Sequence, residues 1–104
     1  MRPFMYQLVL QWPASQFATY DRMIEIEEIL TAALTAERID GHDIGAGEFN
    51  IFIHTNDPRR SFDLSKSLLD AHGLWVDARA AYRELTASQY QILWPPDLAE
   101  FKVK

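Results

Sequence analysis

Two histidines and several carboxylates are concentrated in one short stretch of the chain, where acid–base chemistry or metal binding could take place. His42 follows Asp40 closely, and His54 follows Glu48 in the same stretch. Histidine changes its charge near neutral pH and is the commonest general base in enzymes. Imidazole and carboxylate groups are also donors for zinc, iron and manganese. The residue types therefore allow three functional interpretations: proton transfer, metal ligation, or polar recognition of a partner.

These residues are positioned by a predicted β-hairpin. Gly45-Ala46-Gly47 predicts a tight turn, because glycine enters positive-φ conformations without a Cβ penalty. Residues 49–54 alternate between strand-favouring apolar and polar side chains, and residues 37–43 predict a weaker strand before them. Asp57-Pro58 is typical of a helix start. The sequence thus predicts a hairpin that leads into a helix.

The register of this hairpin decides which side chains share a face. With Ile44 opposite Glu48, the apolar face, predicted to point at the helices, holds Ile39, Gly41, Phe49, Ile51 and Ile53. The open face then holds Arg38, Asp40, His42, Glu48, Asn50, Phe52 and His54. Gln7 and Gln11 of the first strand are expected to join it. A slip of one residue would exchange the two faces.

The remaining chain predicts the order strand, helix, strand, strand, helix, strand. We expect the first strand over Phe4–Gln11 and the last over Tyr90–Trp94. Apolar residues recur at steps of three and four over Tyr20–Thr35, which predicts the first helix, and Pro58–His72 predicts the second. Leu74–Tyr82 fits either a short helical turn or an extended segment.

This order is typical of a ferredoxin-like α+β sandwich, with two helices on one face of a four-stranded antiparallel sheet (βαββαβ). The first and third strands would be central. The chain has 104 residues, which predicts a single domain over residues 1–104. The tail after the last strand is expected to lie across the surface.

Composition narrows the classes of partner. The net charge of −5 disfavours nucleic acid and anionic membranes and favours a basic protein. Cysteine is absent, which excludes disulfides, thiol catalysis and thiolate metal sites. The first apolar run is short and interrupted by Gln7, so we interpret it as a strand rather than a signal peptide. We accordingly expect a cytoplasmic protein.

Neither metal binding nor catalysis is the interpretation that these residues favour most. His42 and His54 should lie at different heights on neighbouring strands, without a paired HxH or HxxxH spacing, so we predict no metal and no cofactor. For acid–base catalysis, Asp40 would orient His42, because Asp43 points to the other face. No nucleophile motif or phosphate-binding loop accompanies them.

Two segments carry a resemblance to other proteins. Asp40–Thr55, with its DGHD–GxGE–NIFI pattern before an Asp-Pro helix start, resembles small bacterial proteins of unassigned function. The Tyr-x-Ile-Leu-Trp-Pro-Pro ending at Tyr90–Pro96 is similar too. The resemblance implies a self-contained bacterial domain and no particular activity.

We therefore expect a non-enzymatic protein-binding module, of the immunity or antitoxin-like inhibitor kind, with a basic partner. The expected contact residues on the open face are His42, Glu48, Asn50, Phe52 and His54. The acidic side of the first helix, Glu25 and Glu28, is a secondary contact surface. The alternative is a dimeric ferredoxin-like enzyme or ligand-binding protein that uses His42 and His54 in a pocket between subunits. A homodimer through the open face is compatible with both.

Overall fold

The computed structural model describes residues 4–14, 20–45 and 47–103, without the side chain of Tyr20. The elements in chain order are β1 (Tyr6–Pro13), α1 (Tyr20–Ala33), β2 (Arg38–Gly45), β3 (Glu48–Thr55), α2 (Pro58–Ala71), β4 (Arg79–Glu84) and β5 (Gln91–Trp94). The two helices and the strands β1, β2, β3 and β5 lie where the sequence predicts them, with ends shifted by a few residues.

The five strands form one antiparallel sheet in the order β2-β3-β1-β4-β5. The described residues therefore form an α+β fold with two helices and a five-stranded sheet, and the prediction of four strands is wrong. The additional strand is β4. It begins within Leu74–Tyr82, the segment whose conformation the sequence left open, and extends to Glu84. Its centre is Ala80 and Ala81, both fully buried. Alanine has little strand preference, so burial rather than local propensity makes this segment a strand.

Both helices pack on one face of the sheet, which we call the helix face. Phe49, Ile51 and Ile53 of β3 are buried in the core between this face and the helices, as the alternation predicts. The other main contributors to this core are Leu8, Leu10 and Trp12 of β1, Met23, Ile26 and Leu30 of α1, and Phe62 and Leu69 of α2. Burial of apolar area here is the main stabilising contribution to the fold.

The opposite face of the sheet is partly covered by residues 95–103, which we call the tail segment. Phe101 of this segment packs with Val9 and Ala81 in a second apolar cluster. The tail crosses the surface of the sheet, as expected. The face beneath it was expected to be open to solvent, however, and over β1 this is wrong: Val9 and Gln11 are buried. We call this side of the sheet the tail face.

The start of α2 follows the pattern that the Asp-Pro pair predicts. The Asp57 side chain accepts a hydrogen bond from the backbone N–H of Arg60 at 3.1 Å, and Pro58 begins the helix. An Asp cap satisfies a backbone donor that the helix itself leaves free. Neither of the two 14-residue helices, nor any other helix in the described ranges, is long and apolar enough to cross a membrane.

Candidate binding site on the β2–β3 hairpin

The hairpin register differs from the predicted one near the turn. Ile44 pairs with Phe49, not with Glu48, and Gly45 pairs with Glu48. Arg38 and Ile39 pair with His54 and Ile53 as predicted, and the pairing shifts by one residue from Gly41 onward. The predicted turn residue Ala46 lies outside the described residues.

A bulge at Asp40 causes this shift. Asp40 is the extra residue on β2, and Gly41 beside it has a φ of +138°, a conformation that L-residues with a side chain rarely adopt. Because side chains alternate along a strand, the slip exchanges the faces of the residues that follow. His42 lies opposite Ile51 on the helix face, so the prediction that it shares a face with His54 is wrong. Asp43 lies opposite Asn50 instead.

His42 meets a carboxylate of α1 on this side of the sheet. Its Nδ1 lies 2.8 Å from Oε2 of Glu27, and the two side chains are 30% and 27% exposed. The ring centroid also lies 6.0 Å from that of Phe49. A hydrogen bond this short between imidazole and carboxylate ties β2 to the helix and fixes the orientation of the ring.

An open groove of about 840 Å³ runs along this contact, and we call it the α1–β2 groove. Glu27 and Thr31 line it from the helix, and residues 38–42 line it from β2. Because β2 is an edge strand of the sheet, the groove flanks a strand that has no neighbouring strand on that side among the described residues. The arrangement combines a strand edge with a polar pair, His42 and Glu27.

His54 belongs to a separate cluster on the tail face. Its Nδ1 lies 3.0 Å from Nη2 of Arg38, and that same nitrogen lies 3.2 Å from Oδ1 of Asp40. A guanidinium only donates, so we assign Nδ1 of His54 as the acceptor and place the proton of the neutral ring on Nε2. Nε2 lies 3.6 Å from Oδ2 of Asp40. The carboxylate predicted to orient His42 therefore lies beside His54.

Asn50 is not on the surface. Its Oδ1 accepts a hydrogen bond from Nε2 of Gln11 at 3.0 Å, and that nitrogen also donates to the backbone carbonyl of Lys102 at 2.9 Å. Asn50 is fully buried, and its Nδ2 has no hydrogen-bond partner within the described part of the chain. A buried donor left unmet costs about 1–3 kcal/mol. The prediction that Asn50 lies on an open face is wrong, because the tail segment lies over this part of the sheet.

Glu48 and Phe52 border the tail segment. One oxygen of Glu48, Oε1, is buried with no hydrogen-bond partner in the described ranges. Glu48 lines a polar pocket of about 270 Å³ together with Arg79, Glu100 and Lys102. Phe52 is half-buried against the apolar cluster around Phe101. The predicted contact set thus divides into three places: the α1–β2 groove, the cluster at His54, and the margin of the tail segment.

The predicted acidic side of α1, Glu25 and Glu28, is exposed, and a third glutamate between them in the sequence makes the contact with β2. Glu25 forms an exposed ion pair with Arg22 at 3.3 Å, and Glu28 is exposed. Glu27 lies between them and reaches His42. The sequence signal for Glu27 is its place next to the apolar stripe, since the residue before it, Ile26, is fully buried.

Sequence reasoning missed a buried polar network at one end of the groove. The Glu37 side chain is only 3% exposed, and its Oε2 accepts a hydrogen bond from Oγ of Ser61 at 2.8 Å. That hydroxyl also lies 2.7 Å from Oγ1 of Thr55. These bonds fix the start of β2 to the first turn of α2. No motif in the sequence marks Glu37, because its partners come from distant positions.

Across the described residues, no group of three or more His, Cys, Asp or Glu side chains is arranged to hold a metal ion. Comparison with known proteins found no match to this chain among protein-family models, curated proteins or solved structures.

Proposed function

We propose that this protein is a non-enzymatic protein-binding module, of the immunity or antitoxin-like inhibitor kind, which binds an extended basic segment of a partner along β2. The supporting observation is the position of β2 at the sheet edge beside the α1–β2 groove of about 840 Å³. Edge strands bind extended peptides through their unpaired backbone groups, and adjacent pockets select the side chains.

The side chains of β2 favour a basic partner. Asp43 is exposed on the strand and Glu27 lines the groove behind it, whereas the exposed Asp40 is already paired with Arg38 at 3.2 Å. The chain as a whole carries a net charge of −5, which accelerates encounter with a positively charged surface. Ile44 is 44% exposed near the turn and offers an apolar anchor. The bulge at Asp40 disturbs the strand edge, so regular pairing is restricted to the residues between it and the turn.

The proposal includes a ferredoxin-like fold in which β4, instead of the predicted last strand β5, is the fourth strand, and β5 is appended at the sheet edge. The order β2-β3-β1-β4 of the first four strands supports it, together with two helices on the same face. The proposal also includes a cytoplasmic location and a relationship to small bacterial proteins.

Affinity purification from the native cells tests this proposal when it is carried out with matched variants. We expect a basic protein to copurify in stoichiometric amount with the wild-type chain. An Asp43→Arg, Ile44→Ala double variant should reduce that amount by about ten-fold or more, because both changes lie on the proposed contact surface. Asp63→Arg, at an exposed position of α2, is the charge-matched control and should leave it unchanged. Equal recovery with all three chains would show that β2 is not the contact surface.

The second candidate is a dimeric ferredoxin-like enzyme or ligand-binding protein. The contact between His42 and Glu27 favours it, because a carboxylate beside an imidazole is suited to orient a general base. The groove volume also lies within the range of small-molecule sites. His54 lies on the other face and cannot serve the same groove. A homodimer by light scattering, with a ligand-induced thermal shift that His42→Ala abolishes, would favour this candidate over the first.

A further inference from the structure

The tail segment lies on the sheet without joining it as a strand. Residues 98–103 belong to no helix or strand. Phe101 is 8% exposed, and its ring centroid lies 5.1 Å from that of Tyr90. Leu98 and Val103 also pack against the cluster on the tail face. The segment is therefore held mainly by apolar side chains and by the hydrogen bond from Gln11 to the Lys102 carbonyl.

This covering leaves a buried hydrogen-bond donor without a partner among the described residues. Nε2 of Gln11 donates both to the Lys102 carbonyl and to Oδ1 of Asn50, which fixes the orientation of the Asn50 amide. Nδ2 of Asn50 is then buried and finds no partner among the described residues. An occupant that placed a carbonyl oxygen within reach of Nδ2 would satisfy a group that the tail segment leaves unsatisfied. The tail segment is thus an imperfect occupant of this face.

We propose that the tail face is a second peptide-binding surface, which the tail segment fills in the free protein. The ligand is an extended segment of another protein, with an aromatic residue followed two positions later by an aliphatic one, as in Phe101-Lys102-Val103. It also supplies a carbonyl to Asn50. This surface lies on the side of the sheet opposite the helices and does not depend on the proposed binding along β2.

Competition within the chain determines how such a ligand binds. A tethered segment has an effective concentration in about the millimolar range, so an external peptide of equal intrinsic affinity binds the intact protein weakly. Removal of the segment, or of its Phe101 anchor, should therefore open the site. The tail segment acts as a built-in competitor.

A shortened chain that ends at Pro96 provides the direct test. The probe is a fluorescein-labelled synthetic peptide that spans residues 97–104, and the readout is fluorescence anisotropy. We expect saturable binding to the shortened chain and binding weaker by about ten-fold or more to the intact chain. A peptide with alanine in place of Phe101 should also bind about ten-fold more weakly.

Folding of the variants is checked by circular dichroism and by the dispersion of amide NMR signals. A folded shortened chain that does not bind the peptide overturns the proposal. If the shortened chain does not fold, full-length Phe101→Ala replaces it, with Lys102→Ala as the control because the Lys102 side chain is exposed. If Phe101→Ala also unfolds, the segment is inseparable from the core, and the proposal is wrong.

A random peptide library, displayed on phage and selected against the opened variant, tests the foreign occupant. We expect peptides with the aromatic-x-aliphatic pattern that bind about ten-fold more tightly than the peptide of residues 97–104, and that lose this advantage on Asn50→Ala. If no selected peptide binds more tightly than the peptide of residues 97–104, the face binds only the chain's own tail segment, and the proposal is wrong. A wild-type dimer by light scattering that Phe101→Ala dissociates would show that a second copy is the occupant, which also contradicts the proposal.

Discussion

The two faces of one sheet are buried in different ways. The helix face is covered by α1 and α2, and its buried residues on β1 and β3 are large and apolar. The tail face is covered over β1 by a segment without regular structure, and it keeps Gln7, Gln11 and Asn50 among its buried residues. The helix face thus holds most of the buried apolar side chains of the described residues, and both proposals require that the tail face and the β2 edge change their contacts without unfolding the chain.

The largest expected difference between the faces is on β3, where two phenylalanines point to opposite sides. Phe49 is buried on the helix face and Phe52 is half-buried on the tail face. Phe49→Ala should lower the free energy of unfolding by about 3–5 kcal/mol, since it leaves a cavity in the main core. Phe52→Ala should lower it by clearly less. Urea denaturation measures the free energy of unfolding of both variants. Equal decreases would show that the two faces contribute equally to stability, which contradicts the difference expected between them.

The polar network below the groove should give the next largest effect. Ser61→Ala removes the hydroxyl that donates to the buried Glu37 carboxylate, so the free energy of unfolding should fall by about 1–3 kcal/mol. Ser67→Ala, at an exposed position of the same helix, is the matched control and should be close to neutral. If the two variants have the same midpoint in urea, the network does not stabilise the start of β2.

Substitution of the glycine beside the bulge should destabilise the protein. Gly41→Ala places a side chain at a φ of +138° and should destabilise the protein by roughly 1–3 kcal/mol, although the space around the new Cβ is open. Gly45→Ala, on the same strand without a positive φ, should have little effect. Thermal unfolding of the two variants compares them, and a neutral Gly41→Ala would argue against the bulge.

The smallest effect is expected at the contact between α1 and β2. Glu27→Gln removes the charge opposite His42 but keeps a hydrogen-bonding oxygen, so stability should fall by no more than about 1 kcal/mol. Glu28→Gln, exposed on the next position of α1, is the control. A loss of several kcal/mol in Glu27→Gln would mean that this pair is part of the core rather than of an adaptable surface.

The sequence predicts most elements of this fold, because their signals are local. The apolar stripe of α1, the Asp57-Pro58 start of α2 and the alternation in β3 all lie within a few residues of the elements that they mark. The sequence left the segment in which β4 begins open between a helical turn and an extended conformation, because its buried alanines reflect the packing of neighbouring elements instead of a local preference.

The candidate site was predicted less well, for two reasons: an extra residue in β2 and the packing of the tail segment. Alternation in β3 assigns its own side chains correctly, but β2 contains an extra residue at Asp40 that alternation cannot reveal. Asp40-Gly41 was the available signal, since a glycine inside a strand often marks a bulge. The cover over Asn50 depends on packing of the tail segment, which has no periodic pattern.

The position of His42 tests the central claim, that the bulge places the two histidines on opposite faces of the sheet. Nuclear Overhauser spectroscopy of the wild-type protein reports which protons lie near each imidazole ring. We predict cross-peaks from the His42 ring to Phe49 and to the Glu27 side chain, and from the His54 ring to Phe4. Cross-peaks from His42 to Phe52 in their place would contradict the bulged register and the groove assigned from it.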